Sequence, residues 1–165
     1  MNTLILTRGI QGSGKSTWAR AWVGEGPDRR CRVSLDDIRK MAGPYWVDSR
    51  EHLITTLGKN AVMTCLKHHR DVVLDCMNLD KKGIRKLVKF LNKSGLVYGT
   101  DYKIEFKDFK LSLEDCLKRN ATRKGDDYIK EEVIISTYNK YRYFYEDGPD
   151  TLSISAILEL NANIK

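Results

Sequence analysis

Short apolar runs along this chain alternate with stretches whose apolar residues recur every three or four positions. Residues 3–7 (Thr-Leu-Ile-Leu-Thr) are apolar and partly β-branched, which predicts a buried strand. Residues 17–22 have helix character and run into a Gly/Pro loop at 24–28. A second short strand is predicted over 32–35, ending at Asp36-Asp37, followed by a loop over 41–46 containing Gly43-Pro44. Residues 49–69 predict a helix with Leu53, Leu57, Ala61 and Leu66 among its apolar positions. Residues 71–75 predict a third strand closed by an acid, with a loop over 76–80. The basic stretch 81–94 predicts a helix, with Ile84, Leu87, Val88 and Leu91 at helical spacing and Gly95 as its stop. Residues 102–109 alternate, as a half-exposed strand near a sheet edge does. Ser112 caps a short helix reaching Asn120, and residues 122–127 break it. A tyrosine-rich helix is predicted over 130–145, stopped by Gly148-Pro149, with a last strand over 151–154. Residues 159–165 take no assignment.

Strands alternating with helices predict an α/β fold with a central parallel sheet, and ligand loops then lie at the carboxyl ends of the strands. Three chemically equipped turns end the first three strands: Gly9 to Ser16, Asp36-Asp37, and Asp75 to Asn78. They are expected to converge on one cleft.

The 165 residues, 41% hydrophobic, are read as one domain, 1–165, with no internal repeat or linker. No apolar run approaches membrane-spanning length. The first residues lead straight into a strand without a signal-peptide pattern, so the expected location is the cytoplasm. Four scattered cysteines form no C-x-x-C, which predicts reduced, mostly buried thiols. The three histidines have no metal-ligand spacing, and His68-His69 are read as a solvated helix end. A net charge of +7 fits a polyanionic partner such as nucleic acid, or simply a bound triphosphate.

The densest chemistry lies in Gly9-Ile10-Gln11-Gly12-Ser13-Gly14-Lys15-Ser16, which fits G-x-x-x-x-G-K-[ST] between a predicted strand and a predicted helix. Glycines at Gly9, Gly12 and Gly14 let backbone N–H groups close on phosphate oxygens, with Gln11, Ser13 and Thr17 in the same cradle. Lys15 is expected to reach the β- and γ-phosphates, and Ser16 to ligate Mg²⁺. The chain is therefore expected to bind a nucleoside triphosphate, with ATP and Mg²⁺ as its cofactors. Asp75 stands where a Walker-B acid belongs, to hold Mg²⁺ through water or to orient Ser16. Arg119 and Arg123 are four apart, as on one helical face, and suit a lid over phosphate. Asp36 or Asp37, but not an identified one of the two, is expected to point into the cleft as a general base. Tyr138, Tyr141 and Tyr145 have the spacing of a packed helix face, whereas Trp46 in its loop is the better candidate for stacking on a base.

Residues 4–7, 12–20, 36–39 (Asp-Asp-Ile-Arg) and 117–123 (Leu-Lys-Arg-Asn-Ala-Thr-Arg) together resemble the kinase domain of bacteriophage polynucleotide 5′-kinase and related, zeta-toxin-like P-loop kinases. The resemblance implies a three-layer P-loop kinase fold with a helical lid near 119–128. It implies transfer of the γ-phosphate of ATP to a 5′-hydroxyl of DNA or RNA, in a phage protein acting in the host cytoplasm. Carried over by position, Asp36 becomes the general base and Arg39 the contact to the acceptor phosphate. Lys15 and Ser16 hold donor phosphates and metal, Arg123 becomes the lid arginine on the transferring group, and Arg119 supports it.

Two departures qualify the resemblance. The family's Asp-Thr-Asn after the third strand is Asp75-Cys76-Met77-Asn78 here, without the threonine and one residue longer. No D-x-D-G-T phosphatase motif occurs, so a kinase alone is expected. The altered loop keeps open a kinase with another acceptor, such as a hydroxymethylated pyrimidine in phage DNA or a small nucleoside. A P-loop NTPase without an acceptor is disfavoured by the Asp36 to Arg39 element.

Overall fold

A computed structural model describes residues 1–146 together with Ser153 and Ser155. Its centre is β1 (Asn2–Arg8), whose Leu4 and Leu6 are fully buried. Three further strands, β2 (Arg30–Ser34), β3 (Asp71–Asp75) and β4 (Tyr102–Asp108), join it in one parallel sheet of order β2-β3-β1-β4. Leu4, Ile5 and Leu6 of β1 lie level with Val72, Val73 and Leu74 of β3. An all-parallel sheet must be covered on both faces, which accounts for the unbroken apolar runs in β1 and β3.

The period-2 geometry of the strands sorts these residues between two layers. Leu4, Leu6, Val72 and Leu74 pack with Val62 and Leu66 of α3 (Glu51–Lys67) and with Ile84, Leu87, Val88 and Leu91 of α4 (Lys81–Lys93). Ile5 and Val73 meet Ala19 and the tryptophans of α1 (Lys15–Gly24) on the other face. The result is the expected three-layer sandwich. The chain thus leaves β1 toward one face and β3 toward the other, and such a switch point opens a crevice at the strands' carboxyl ends. At the edge, β4 buries Tyr102 and Ile104 and exposes Lys103 and Glu105, as its alternation predicted.

Short elements complete the described chain: α2 (Leu35–Met41), a 3₁₀ turn Asp48–Arg50, α5 (Leu113–Ala121), a 3₁₀ turn Gly125–Asp127, α6 (Glu131–Lys140) and α7 (Arg142–Tyr145). Several expectations change. Leu35 opens α2 and does not end a strand, because the Ser34 hydroxyl caps the helix by accepting from the Asp37 N–H. The buried side of α3 is Ile54, Gly58, Val62 and Leu66, while Leu53 is half exposed. Gly58 sets that face, since a Cβ there would lie 2.4 Å from a Leu35 methyl. The tyrosine-rich helix is two pieces broken at Tyr141. Of the four free cysteines only Cys116 is fully buried, and the other three are partly exposed. Both histidines of the pair are exposed, with His69 at φ 55. The expected stop at Gly148-Pro149 and the strand expected over 151–154 lie outside the described residues. Among the described residues, no helix is long and apolar enough to cross a membrane.

Candidate active site

The glycine loop leaves β1 through Arg8, which is buried in a two-pronged ion pair with Asp108 (2.6 and 2.8 Å). Beyond it the backbone enters left-handed space at Gly9 (φ 152), Gly12 (φ 82) and Gly14 (φ 97). At Gly12 the constraint is steric too, because a Cβ would sit 2.6 Å from the Cys116 carbonyl oxygen. Gly12→Ala is expected to destabilise the fold by about 1–3 kcal/mol, read as a fall in the urea midpoint.

The loop's donors are turned inward. The Lys15 ammonium is buried and donates to the Ile10 carbonyl (2.7 Å) and the Ser13 hydroxyl (3.4 Å). Burial holds its pKa below the usual lysine value, against the opposing pull of Asp75 and Asp36. The Ile10 N–H donates to the Tyr145 hydroxyl (2.9 Å), tying the loop to α7. No described residue accepts from the N–H groups of Gly12, Gly14, Lys15 or Ser16. Four free N–H groups above a helix N-terminus form a cradle for phosphate oxygens. Ser16 and Thr17 line the same cleft, and Gln11 keeps a buried side-chain oxygen without a partner among the described residues.

On the other wall, the first turn of α2 separates the two adjacent acids. Asp37 accepts from Arg32 (2.5 Å), whose guanidinium also grips Asp75 through Nε (2.8 Å) and Nη2 (2.6 Å). Asp36 accepts at Oδ1 from both Arg39 Nη1 and the Tyr45 hydroxyl, each at 2.7 Å, and its Oδ2 is without a partner among the described residues. Arg39 is in turn held by Glu51 of α3 through Nε (2.9 Å) and Nη2 (2.7 Å). Burial alone would lower its pKa, but Glu51 and Asp36 outweigh that and raise it. A guanidinium has five donors, so two N–H groups of Arg39 remain for another ligand. The Trp46 ring lies 5.2 Å from this guanidinium and is 58% exposed at the cleft.

Asp75 is buried at the end of β3, and both arginine contacts fall on its Oδ2, leaving Oδ1 without a described partner. No hydrogen bond joins it to Ser16, so the arrangement in which Asp75 orients that hydroxyl directly is not found. Removing one member of a buried pair strands the other, which typically costs about 3–5 kcal/mol. Asp75→Leu is expected to destabilise the protein by less than that, because Arg32 keeps Asp37, and the double change Arg32→Met with Asp75→Leu to recover most of the loss in urea denaturation. In the following loop, burial pushes the Cys76 thiol up to about 12, so it stays protonated and donates to Asn78 Oδ1 (3.0 Å). Asn78, at φ 45, donates through Nδ2 to the Thr7 and Leu74 carbonyls (2.8 and 2.9 Å) and ties this loop to β1.

The third wall is the segment from α5 to α6. The two arginines do not share a helical face: α5 ends at Ala121, and Arg123 lies in the turn beyond it. Arg119 rests on the glycine loop, its Nη1 3.1 Å from where a Gly14 Cβ would be. Arg123 lines the cleft, with one long contact to the Asp127 carbonyl (3.5 Å). Buried Asn120 staples the break by exchanging hydrogen bonds with the Ile129 backbone (2.6 and 3.0 Å). Lys40 of α2 reaches Asp127 (2.5 Å), joining this wall to the one that carries Asp36. Tyr138, Tyr141 and Tyr145 pack around Ile10, Cys116, Ile134 and Phe144, as their spacing predicted.

The three walls enclose about 1150 Å³, above the usual range for one small ligand. Lys15, Ser16, Asp36, Arg39, Asp75 and Arg123 all line it, whereas Arg119 is not among the lining residues and rests against the loop at Gly14. Arg32, Lys40, Tyr45, Glu51 and Asp127 were missed from sequence. None of them stands out in the sequence, since Arg32 is one of two arginines in β2 and the others lie in turns or on helix surfaces. Among the described residues, no group of three or more His, Cys, Asp or Glu side chains forms a metal cluster.

A family model described as an AAA domain matches residues 4–147. Among solved structures, two assemblies are similar, entitled Pnkp1/Rnl/Hen1 complex and Pnkp1/Rnl/Hen1 RNA repair complex. The first is 30% identical over 72% of this chain and 38% of that one, with a TM-score of 0.60. The second is 26% identical over 90% of this chain and 46% of that one, with a TM-score of 0.70. The chain therefore spans less than half of either relative's length. A gluconokinase from Sinorhizobium meliloti, 17% identical over 91% of this chain and 78% of its own, shares the fold at a TM-score of 0.53. The α/β architecture is that of P-loop kinases.

Proposed function

Because this chain belongs to the AAA domain family, we propose that it is an ATP- and Mg²⁺-dependent kinase acting on the 5′-hydroxyl of DNA or RNA. The observation that carries the reading is Asp36, a carboxylate with one oxygen fixed by Arg39 and Tyr45 and the other uncommitted, in the cleft of the glycine loop. A nucleotide hydrolase needs no acceptor clamp, which is what the spare N–H groups of Arg39 beside Asp36 would supply. The printed title of one relative, an RNA repair complex, supports a polynucleotide acceptor.

In this reading the free N–H groups of Gly12, Gly14, Lys15 and Ser16 and the Lys15 ammonium bind the donor's β- and γ-phosphates. The acceptor oxygen forms a bond to the γ-phosphorus while the bond to the β,γ-bridging oxygen breaks, and ADP leaves. The acceptor's proton passes to Asp36 Oδ2. Arg39 offers its two spare N–H groups to the acceptor's phosphate, and Arg123 offsets charge on the transferring group. The donor set fits a magnesium ion, since Mg²⁺ needs few protein ligands beside phosphate and water. Ser16 would hold it, with Asp75 Oδ1 receiving one of its waters. Bound there, Mg²⁺ would neutralise charge on the β- and γ-phosphate oxygens.

Cys76, Met77 and Asn78 line the cleft, and this loop's departure from the family pattern favours testing a second acceptor. Label transfer from γ-labelled ATP should be measured on a 5′-hydroxyl oligonucleotide, a duplex bearing hydroxymethylated pyrimidines, and free nucleosides. Label on the oligonucleotide is expected. Label on the modified duplex alone would transfer the assignment to the base hydroxyl, and phosphate release without labelled acceptor would make the protein a hydrolase.

A further inference from the structure

Six cationic residues, Lys81, Lys82, Arg85, Lys86, Lys89 and Lys93, stand on α4, which contains no Asp or Glu. The other 23 basic residues of the chain face 22 acidic ones, so this helix carries almost the whole net charge of +7. Four of the lysines form one stripe. Lys82, Lys86, Lys89 and Lys93 fall within about 60° of one another on the helical wheel and extend about 16 Å along the axis. All four are exposed, and among the described residues none pairs with a carboxylate.

This arrangement works against the helix's own stability. Like charges at i, i+3 and i+4 repel, and Lys81-Lys82 meet the positive end of the helix dipole. Asp80 offsets the second effect by capping the N-terminus, accepting from the Lys82 and Gly83 N–H groups (both 3.1 Å). The opposite face, Ile84, Leu87, Val88 and Leu91, is buried against the sheet. The helix therefore has no apolar face to insert into a lipid surface. What it presents is a row of lysine stems that leave a rigid helix at intervals of about 5–6 Å. Its first two turns, through Gly83, Ile84 and Leu87, also line the cleft that holds Asp36.

We propose that the Lys82–Lys86–Lys89–Lys93 stripe is the track for the phosphodiester backbone of the acceptor strand downstream of its 5′ end. This rests on the polynucleotide-kinase reading and deepens it. The cleft takes the terminal nucleotide, and the lysines take the phosphates that follow. Contacts of this kind give affinity and salt dependence without reading sequence.

The test is the triple variant Lys86→Gln, Lys89→Gln and Lys93→Gln, which removes the three lysines farthest from the cleft and leaves good helix formers. For a single-stranded 5′-hydroxyl oligonucleotide of about 20 nucleotides, KM should rise about tenfold or more, and the slope of log affinity against log salt should fall by about 2. The KM for ATP and the rate on thymidine 3′-monophosphate, which has no downstream phosphodiester, should stay as in the parent. Equal KM on the long acceptor, or an equal loss on both acceptors, would overturn the proposal. If the parent labels neither acceptor, the kinase reading fails and the stripe is judged by fluorescence anisotropy of the same oligonucleotide. Binding by the parent that is lost in the variant then supports the track. No binding by the parent, or tighter competition by phosphatidylserine vesicles or polyglutamate than by unlabelled oligonucleotide, removes it.

Discussion

Asp36→Asn is expected to lower kcat about a thousandfold while leaving ATP affinity within about twofold of the parent. Asparagine keeps the size and the acceptor oxygen facing Arg39 and Tyr45, so the loop conformation should survive. It loses the ability to take a proton, which is the one property that the proposed chemistry requires of Oδ2. The separation of effects is the informative part. Asp36 lies on the α2 wall and the nucleotide cradle on the loop before α1, so donor binding should sense the change only weakly, through the pull of Asp36 on the Lys15 ammonium. Loss of ATP affinity in parallel with kcat would make Asp36 part of the donor site. Full activity would end its assignment as base. Asp37→Asn makes a sharp control, because Asp37 also lines the cleft with one oxygen on Arg32 (2.5 Å): it should cost little activity, and an equal loss of kcat there would move the base assignment to Asp37.

Arg123→Ala is the second large effect, expected to reduce kcat by about a thousandfold. Arg123 lines the cleft with only a long contact to the Asp127 carbonyl, so its guanidinium is available to a transferring phosphoryl group. A charge stabiliser of that kind acts on the transition state more than on the ground state, so KM for ATP should move far less than kcat. Arg123→Lys should restore only part of the rate, since an ammonium cannot reproduce the planar two-pronged donor. Arg119→Ala should behave differently. Arg119 rests against Gly14, and its loss should appear first in ATP affinity. If the two variants gave the same kinetic pattern, the division between a loop-bracing and a phosphate-facing arginine would fail.

What could be read along the sequence was what is local in it. The strand, glycine loop and helix from Asn2 to Gly24 are one continuous stretch, and their pattern encodes both conformation and chemistry. The placing of Asp36 and Arg39 likewise needs only Ser34 as a cap and one turn of helix. The partners that complete the acceptor wall lie elsewhere. Glu51 reaches Arg39 across twelve positions, Arg32 reaches Asp75 across 43, and Lys40 reaches Asp127 across 87. Periodicity carries no information about such pairs. The buried face of α3, which the apolar positions alone did not pick out, has a related origin. Gly58 fixes the contact with Leu35 because it is small, and a hydropathy pattern gives glycine no weight. Arg119 and Arg123 were expected on one helical face because their spacing permits it, but the helix stops at Ala121 and Asn120 reaches across the break to Ile129. The resemblance to polynucleotide kinases supplied the choice of Asp36 over Asp37, which spacing alone left open. The hydrogen bonds leave it open too: each acid lines the cleft with one oxygen held by an arginine and the other without a partner among the described residues.

The most direct test of the central claim uses two oligonucleotides of one sequence, one ending in a 5′-hydroxyl and the other in a 5′-phosphate, each incubated with γ-labelled ATP and Mg²⁺. The account predicts label on the 5′-hydroxyl strand only, recovered on its terminal nucleotide after digestion. Equal label on both strands, or labelled inorganic phosphate as the sole product, would contradict it.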